Sequence, residues 1–374
     1  MLGTHHQEGK IHRWVTVWLG AGGQVQKPGA SVQEQGDRRQ DTQGVRRRQR
    51  VILNGKASKW HEVTASVIQG SVLGPTLAKS FSNSSHQDRN LQEEDRPLVS
   101  KFADDEKRCR VVENQEQGQR MQEDINNMVS WCTRMDVLLN EDKVHILHIG
   151  QNNVKRPYTL GVGGPIIQKV DQEKDLGVLI SSDLKPDKMI AKQTQKAHFK
   201  LSQFNYTFSY RGKTWIDMYK TYVKPSMLYA CEVWRPTSQE GIDKLECVQK
   251  RAVRMAGGLG AGNYQESCRK AGLNTIKEDL EEADMVRVYR IMYGHDNIDK
   301  EIFWKMEEPR PGVGRRRFKE KEVKRTLATQ RKAVRKTSFA SRVQDPWNEL
   351  HSDIKKAKNP RAFRAAFRKA KPLA

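Results

Sequence analysis

Long apolar runs are missing from this 374-residue chain. No stretch approaches the roughly 18 residues that a membrane span requires. The N-terminus has no apolar run of the kind that opens a secretory signal peptide. Cysteine is sparse: Cys109, Cys132, Cys231, Cys247 and Cys268 are scattered, odd in number and form no C-x-x-C pair. That pattern argues against a disulfide framework and a zinc module and suits a reducing compartment. No internal repeat is present. Apolar residues make up only 36% of the chain, so part of it, not all, is expected to bury a core. These absences point to an intracellular protein, nuclear or cytoplasmic, with no membrane partner.

What the chain has in excess is positive charge. Lys and Arg number 67 against 45 Asp and Glu, a formal net charge of +22. The surplus favours a polyanionic partner, with nucleic acid ahead of an anionic membrane surface. It is concentrated at one end. From Pro309 to Ala374 there are 21 Lys and Arg against 5 Asp and Glu, which leaves +16 there. Arg315, Arg316 and Arg317 head this basic stretch, where sparse aromatics and clustered cations suit sequence-independent phosphate contact.

Along the chain, Ile11, Trp14, Val15, Val17, Trp18 and Leu19 suggest one short amphipathic helix. Gly20 to Arg50 has few large apolar residues and reads as loop or disorder. Val51 to Asn54-Gly55 signals a hairpin, returning through Lys59 to Val63. Ile68-Gln69-Gly70-Ser71-Val72-Leu73-Gly74-Pro75 is a glycine-punctuated loop whose Gln69 amide can bond a base or backbone edge. Leu98 to Ala103 and Cys109 to Val112 read as the arms of a hairpin. Met121, Ile125, Met128, Val129 and Cys132 fall at helical spacing. Strands follow at 144–149 and 175–180, with a second hairpin around Gly163-Gly164. The order suggests an α+β or α/β core over roughly 50–185.

Beyond Pro186 the pattern becomes helical. Ile190, Thr194, Ala197, Leu201, Phe204 and Phe208 form one stripe. Trp215, Met218, Tyr219 and Tyr222 start another, which Pro225 interrupts or ends. Ile242, Leu245, Val248, Ala252 and Met255 form a third, with Lys244, Lys250, Arg251 and Arg254 beside it. That helix can pack on a core and touch phosphate with its other face. Further short helices are expected around Leu280 to Met292, Trp347 to Ile354, and Phe363 to Phe367, with the tail docking only in part.

One stretch gives these elements a chemical centre: Lys101-Phe102-Ala103-Asp104-Asp105. Adjacent acids on a strand point to opposite faces, but at a hairpin tip both reach one cation. Mg²⁺ or Mn²⁺ takes oxygen ligands, often one or two carboxylates with substrate phosphates. An Asp pair alone is common in solvated turns.

The set changes that reading. Arg48-Gln49-Arg50-Val51 to Asn54-Gly55, Gln69-Gly70-Ser71-Val72-Leu73-Gly74-Pro75, Phe102-Ala103-Asp104-Asp105, Asn140 with Lys143, and Asp175-Leu176-Gly177-Val178 come in an order that resembles the palm of non-LTR (LINE-type) reverse transcriptases. Tyr219-Lys220 through Pro225 to Tyr229, Trp234, Lys244-Leu245-Glu246 through Gln249-Lys250-Arg251-Ala252, and Ser338-Phe339 through Trp347-Asn348 resemble the segment after that palm. The resemblance covers about 50–370.

It implies an α+β fold: a partial right-hand polymerase palm, an antiparallel sheet with helices, then an α-helical thumb and a basic tail. The expected division is 1–49 degenerate or disordered, 50–185 palm, 186–308 thumb and 309–374 tail. The partners implied are an RNA template, a DNA primer and deoxynucleoside triphosphates. Asp104 and Asp105 would hold Mg²⁺ for two-metal nucleotidyl transfer. Gln69, Gly70 and Phe102 would line the template and nucleotide site, Lys143 would act on the leaving group, and 175–178 would hold the primer end. The sequence departs from the family in lacking a third carboxylate on an upstream apolar strand. Ile68 stands where proline is usual, and Glu106 where a small or hydroxyl residue is common. These departures suggest a 5′-truncated element copy with little catalysis, and the alternative function is an inactive RNA- or DNA-binding remnant.

Overall fold

The computed structural model describes residues 14–19, 31–36, 47–63, 96–103, 105–135, 137, 139–150, 154–209, 211–257, 263–306, 318–319 and 337–370. The fold is mixed α and β. Its contacts divide the chain into a sheet unit, Arg13–His148 with Asn152–Val170, and a helical unit, Met1–His12, Ile149–Gln151 and Asp171–Ala374.

The strands of the sheet unit are β1 (Trp14–Leu19), β2 (Ser31–Gly36), β3 (Arg47–Leu53), β4 (Lys56–Ala57), β5 (His61–Val63), β6 (Leu98–Phe102), β7 (Asp105–Val111), β8 (His145–Ile149) and β9 (Gln168–Val170). Helix α1 (Gln115–Arg134) joins β7 to β8. The main sheet has five strands in the order β6-β7-β1-β8-β9. β7 pairs antiparallel with both β6 and β1, whereas β8 and β9 run parallel.

Strand β1 corrects the helix expected at 11–19. Val15, Thr16 and Val17 are all buried. A strand covered on both faces shows no polar alternation, and six residues are too few to separate its pattern from a helical one. Gly20 to Arg50 also differs from the expected loop, because it contains β2 and the start of β3. Those two strands pair over six residues, Ser31 opposite Ile52 to Gly36 opposite Arg47. Main-chain ladder bonds do not need apolar side chains. The Asn54-Gly55 turn forms as expected, with φ of 50° and 76°, as a two-residue hairpin between β3 and β4 requires.

The face of α1 with Met121, Ile125, Met128 and Cys132 is buried with Val15, Val17, Val144, Ile146 and Tyr158 in one core. Asn114 caps the helix, its side chain accepting from the Gln117 amide at 2.8 Å. Around Gly163-Gly164 the expected hairpin is reduced to a single bridge, Thr159 to Ile166. A Cβ on Gly164 would stand 2.0 Å from the Leu160 carbonyl oxygen, so only glycine fits there.

The helical unit opens with a tight hairpin, β10 (Gln172–Asp175) and β11 (Val178–Ser181), turned by Leu176 and Gly177 at φ 46° and 89°. α2 (Asp187–Thr207) follows. α3 (Lys213–Met218) continues through a π turn, Tyr219–Val223, into α4 (Lys224–Met227), so Pro225 sits in a first turn instead of stopping the chain. Next come α5 (Cys231–Trp234), α6 (Gln239–Met255), α7 (Tyr264–Lys270) and α8 (Ile276–Met292). After β12 (Lys305–Met306) and β13 (Phe318–Lys319) the chain ends in α9 (Phe339–Arg342), α10 (Gln344–Glu349), α11 (Ser352–Lys355) and α12 (Pro360–Ala370).

This unit holds two cores. The first is built on Leu201, Trp215, Tyr219, Leu245, Val248 and Leu280. The second joins the opposite side of α8 to the tail through Val288, Tyr289, Trp304, Trp347, Phe363 and Phe367. The segment 337–370 is therefore docked, more than the partial docking expected. Two buried carboxylates of α8 anchor it. Asp284, 1% exposed, takes Arg342 through two bonds of 2.8 Å and also pairs with Arg235. Glu282 pairs with Arg364 at 3.1 Å and with Arg368 at 2.5 Å.

Candidate functional site

The centre of interest is the β6–β7 hairpin. Phe102 lies opposite Asp105, so only residues 103 and 104 separate the strands. Ala103 has φ 53°, the left-handed conformation that such a turn demands. Asp105 and Phe102 are exposed at this end. Asp104 lies outside the described residues, as do Gln69, Gly70, Arg315, Arg316 and Arg317.

Strand alternation turns Glu106 away from Asp105 into the interior, where it is 7% exposed. It accepts from Lys101, its cross-strand partner, at 2.9 Å and from Arg108 Nε at 2.6 Å. Its charge is thus answered inside the sheet and does not crowd the tip. Burial opposes ionisation, but Arg108 and Lys101 together hold the carboxyl below its ordinary value. Arg108 also reaches the Asp124 carbonyl of α1 at 3.2 Å, and Arg110 grips the Asp124 carboxylate at 2.6 and 3.0 Å. The sequence signal for this cluster is the period-two run Glu106, Arg108, Arg110, which sequence reading missed.

These contacts also orient α1. Asp124 meets Arg110 and Arg108, and four residues on, Met128 Sδ is 3.5 Å from Arg108 Nη2. Cys132 feels the Glu106 charge, and burial with that charge pushes its thiol up to about 11. α1 therefore runs back along β7 toward the tip. The following turn, Glu141–Lys143, begins β8 at the same end of the sheet. Lys143 is exposed there. The fold thus brings Asp105 and Lys143 to one end of the sheet.

Beside the hairpin stands β1, Trp-Val-Thr-Val-Trp-Leu, with Leu19 opposite Glu106 and Trp18 opposite Lys107. An upstream apolar strand is present after all, in the central position, but it carries no acidic residue. Among the described residues no three His, Cys, Asp or Glu side chains gather as metal ligands. The described tip offers one carboxylate to a cation, Asp105.

In the helical unit, α6 places the four expected cations differently. Lys244 is exposed and paired with Glu240 at 2.7 Å. Lys250 lies 5.0 Å over the Tyr264 ring, and Arg254 is exposed. Arg251 turns to α2, bonding Ser202 Oγ at 3.1 Å and meeting His198 Nδ1 at 3.3 Å. Burial and then Arg251 hold the His198 imidazole below its ordinary value, which keeps it neutral as an acceptor. Tyr229 donates to the Leu176 carbonyl at 3.1 Å, which fixes the 175–178 turn.

Comparison with known proteins adds an independent line. No family model matches the chain. The RNA-directed DNA polymerase from mobile element jockey of Drosophila funebris is 24% identical over 218 residues, 56% of this chain and 23% of that protein. The jockey polymerase of Drosophila melanogaster is 23% identical over 217 residues, again 56% of this chain and 23% of its own length. A third relative from Drosophila melanogaster, named "Probable RNA-directed DNA polymerase from transposon X-element", is 25% identical over 226 residues, 57% of this chain and 24% of its own. The chain is a distant relative of LINE-type reverse transcriptases. It spans about a quarter of the length of these curated reverse transcriptases. No helix among its described residues is long and apolar enough to cross a membrane.

Proposed function

We propose that this reverse transcriptase relative binds RNA template and DNA primer and, as an isolated chain, does not catalyse efficient nucleotidyl transfer. The sheet unit acts as the palm and the helical unit as the thumb, with the +22 charge favouring phosphate contact. Phe102 and Asp105, exposed at the hairpin tip, face the primer–template, with Lys143 at the same end of the sheet. One observation supports the reading: β1, the strand paired with the hairpin arm β7, is Trp-Val-Thr-Val-Trp-Leu and carries no acid.

Asp105, with Asp104 beside it in sequence, supplies oxygen ligands of the type a single Mg²⁺ takes, but no route to transfer follows from two adjacent acids alone. Losing a metal-binding carboxylate removes much of the charge that holds two divalent ions together. The expected rate loss is several orders of magnitude.

Primer extension on an RNA template with Mg²⁺ tests this. Neither the parent nor Asp104→Asn is expected to incorporate nucleotides above background, while both bind the primer–template at low salt and release it as salt rises. Incorporation by the parent that Asp104→Asn abolishes would overturn the proposal in favour of an active polymerase. Absence of binding at low salt would overturn it altogether.

A further inference from the structure

One face of α2 stands apart from the core and matches none of the motifs above. At 100° per residue, Lys188, Lys192, Lys196, Phe199 and Tyr206 fall within an arc of about 80°. The opposite side carries Ile190, Ala197 and Leu201, all buried. The stripe faces solvent: its three lysines are exposed, Phe199 is 63% exposed and Tyr206 is 94% exposed. Asp187 is the sole acid of the helix and lies in its first turn. Lys188, Lys192 and Lys196 form no ion pair among the described residues. Arg251 of α6 reaches across to Ser202, which borders the stripe, and adds a fourth cation at its edge.

We propose that this face of α2 is a track for single-stranded nucleic acid. The inference rests on the nucleic-acid reading above and names a surface and a strand state that it does not. The lysines recur every turn, about 6 Å apart along the axis, and attract a phosphate backbone. Beyond them Phe199 and Tyr206 are seven residues apart, about 10 Å along the same line. A large exposed aromatic costs solubility and, so placed among cations, offers a π-face to an unpaired base. Bases inside a duplex are stacked on one another and cannot use such rings, so the aromatics select an open strand. A protein partner would need acidic side chains for the lysines and apolar pockets for two rings a third of the stripe apart; a single strand supplies both along its length, phosphates for the lysines and unpaired bases for the rings.

The test uses the full chain and fluorescence anisotropy with a labelled oligothymidylate and a duplex of equal length. Phe199→Ala/Tyr206→Ala removes only exposed rings, and an unchanged thermal melt will show that the fold is intact. The double variant is expected to bind the single strand on the order of 10- to 100-fold more weakly, with duplex binding changed by less than a few-fold. Lys192→Glu/Lys196→Glu is expected to weaken both and to lessen the salt dependence. If the parent binds and Phe199→Ala/Tyr206→Ala matches it, or loses duplex equally, the track is wrong while the nucleic-acid reading stands. If the parent binds neither probe at low salt, that reading falls and the track with it.

Discussion

Phe363→Ala is expected to lower stability by about 3–5 kcal/mol, near the upper range for a single core truncation. Phe363 is fully buried and stacks on Tyr289 with ring centroids 4.5 Å apart, with Trp347 at 5.8 Å and Phe367 at 6.2 Å. Little nearby can collapse into the space, because these neighbours are rigid rings. α12 has 11 residues, too short to hold its shape unaided in water, so it depends on this contact. Trypsin supplies a second readout. Arg361, Arg364, Arg368 and Lys369 line the helix, and the variant should be cut there well before the parent. Urea denaturation measures the loss directly, and a change under 1 kcal/mol with an unaltered cleavage pattern would contradict the docking described for the tail.

The second large effect belongs to Glu106. Glu106→Ala removes the carboxylate and leaves the Arg108 guanidinium buried with its main partner gone, at an expected cost of about 3–5 kcal/mol. Glu106→Leu/Arg108→Leu, which removes both charges, should recover most of that loss, since a well-packed apolar pair replaces a buried ion pair at little cost. The same site gives a pH dependence. Its folded value is depressed below the ordinary 4.5, so its contribution is fully present above about that pH and is lost as pH falls through the lower folded value. Glu106→Gln should flatten the acid limb of a stability–pH curve. An acid limb identical to the parent's would mean that the triad does not govern it.

Much of this architecture is legible in the sequence where one face of an element is buried. The α1 stripe, the α2 stripe and the Asn54-Gly55 turn are examples, because periodicity and turn chemistry are local. The Phe102-Ala103-Asp104-Asp105 tip belongs with them, since Asp favours turns, although the residue found at positive φ is Ala103. β1 was not legible, since a strand covered on both sides has no period to detect and its partner, β7, lies about ninety residues on. β2 was hidden for the opposite reason: Ser-Val-Gln-Glu-Gln-Gly carries no apolar signal, and its pairing is a main-chain property. The cluster of Glu106 with Lys101 and Arg108 was not legible, because composition does not tell which face of a strand a residue takes. The exposed side of α2 was not legible either, because its lysines and two rings lie opposite the apolar stripe that marks the helix.

The docked tail alters how the charge of this protein counts. Of the four arginines between 337 and 370, Arg342, Arg364 and Arg368 are held by Asp284 and Glu282. A cation already neutralised within the fold displaces few counterions when a phosphate arrives. The salt slope of binding, about 0.7 per phosphate contacted on a single strand, will therefore fall short of what the formal charge of this segment suggests. Removing the segment would not be a subtraction of charge alone. It would leave two carboxylates and an aromatic wall on α8 uncovered, converting a basic end of the molecule into an acidic, apolar one.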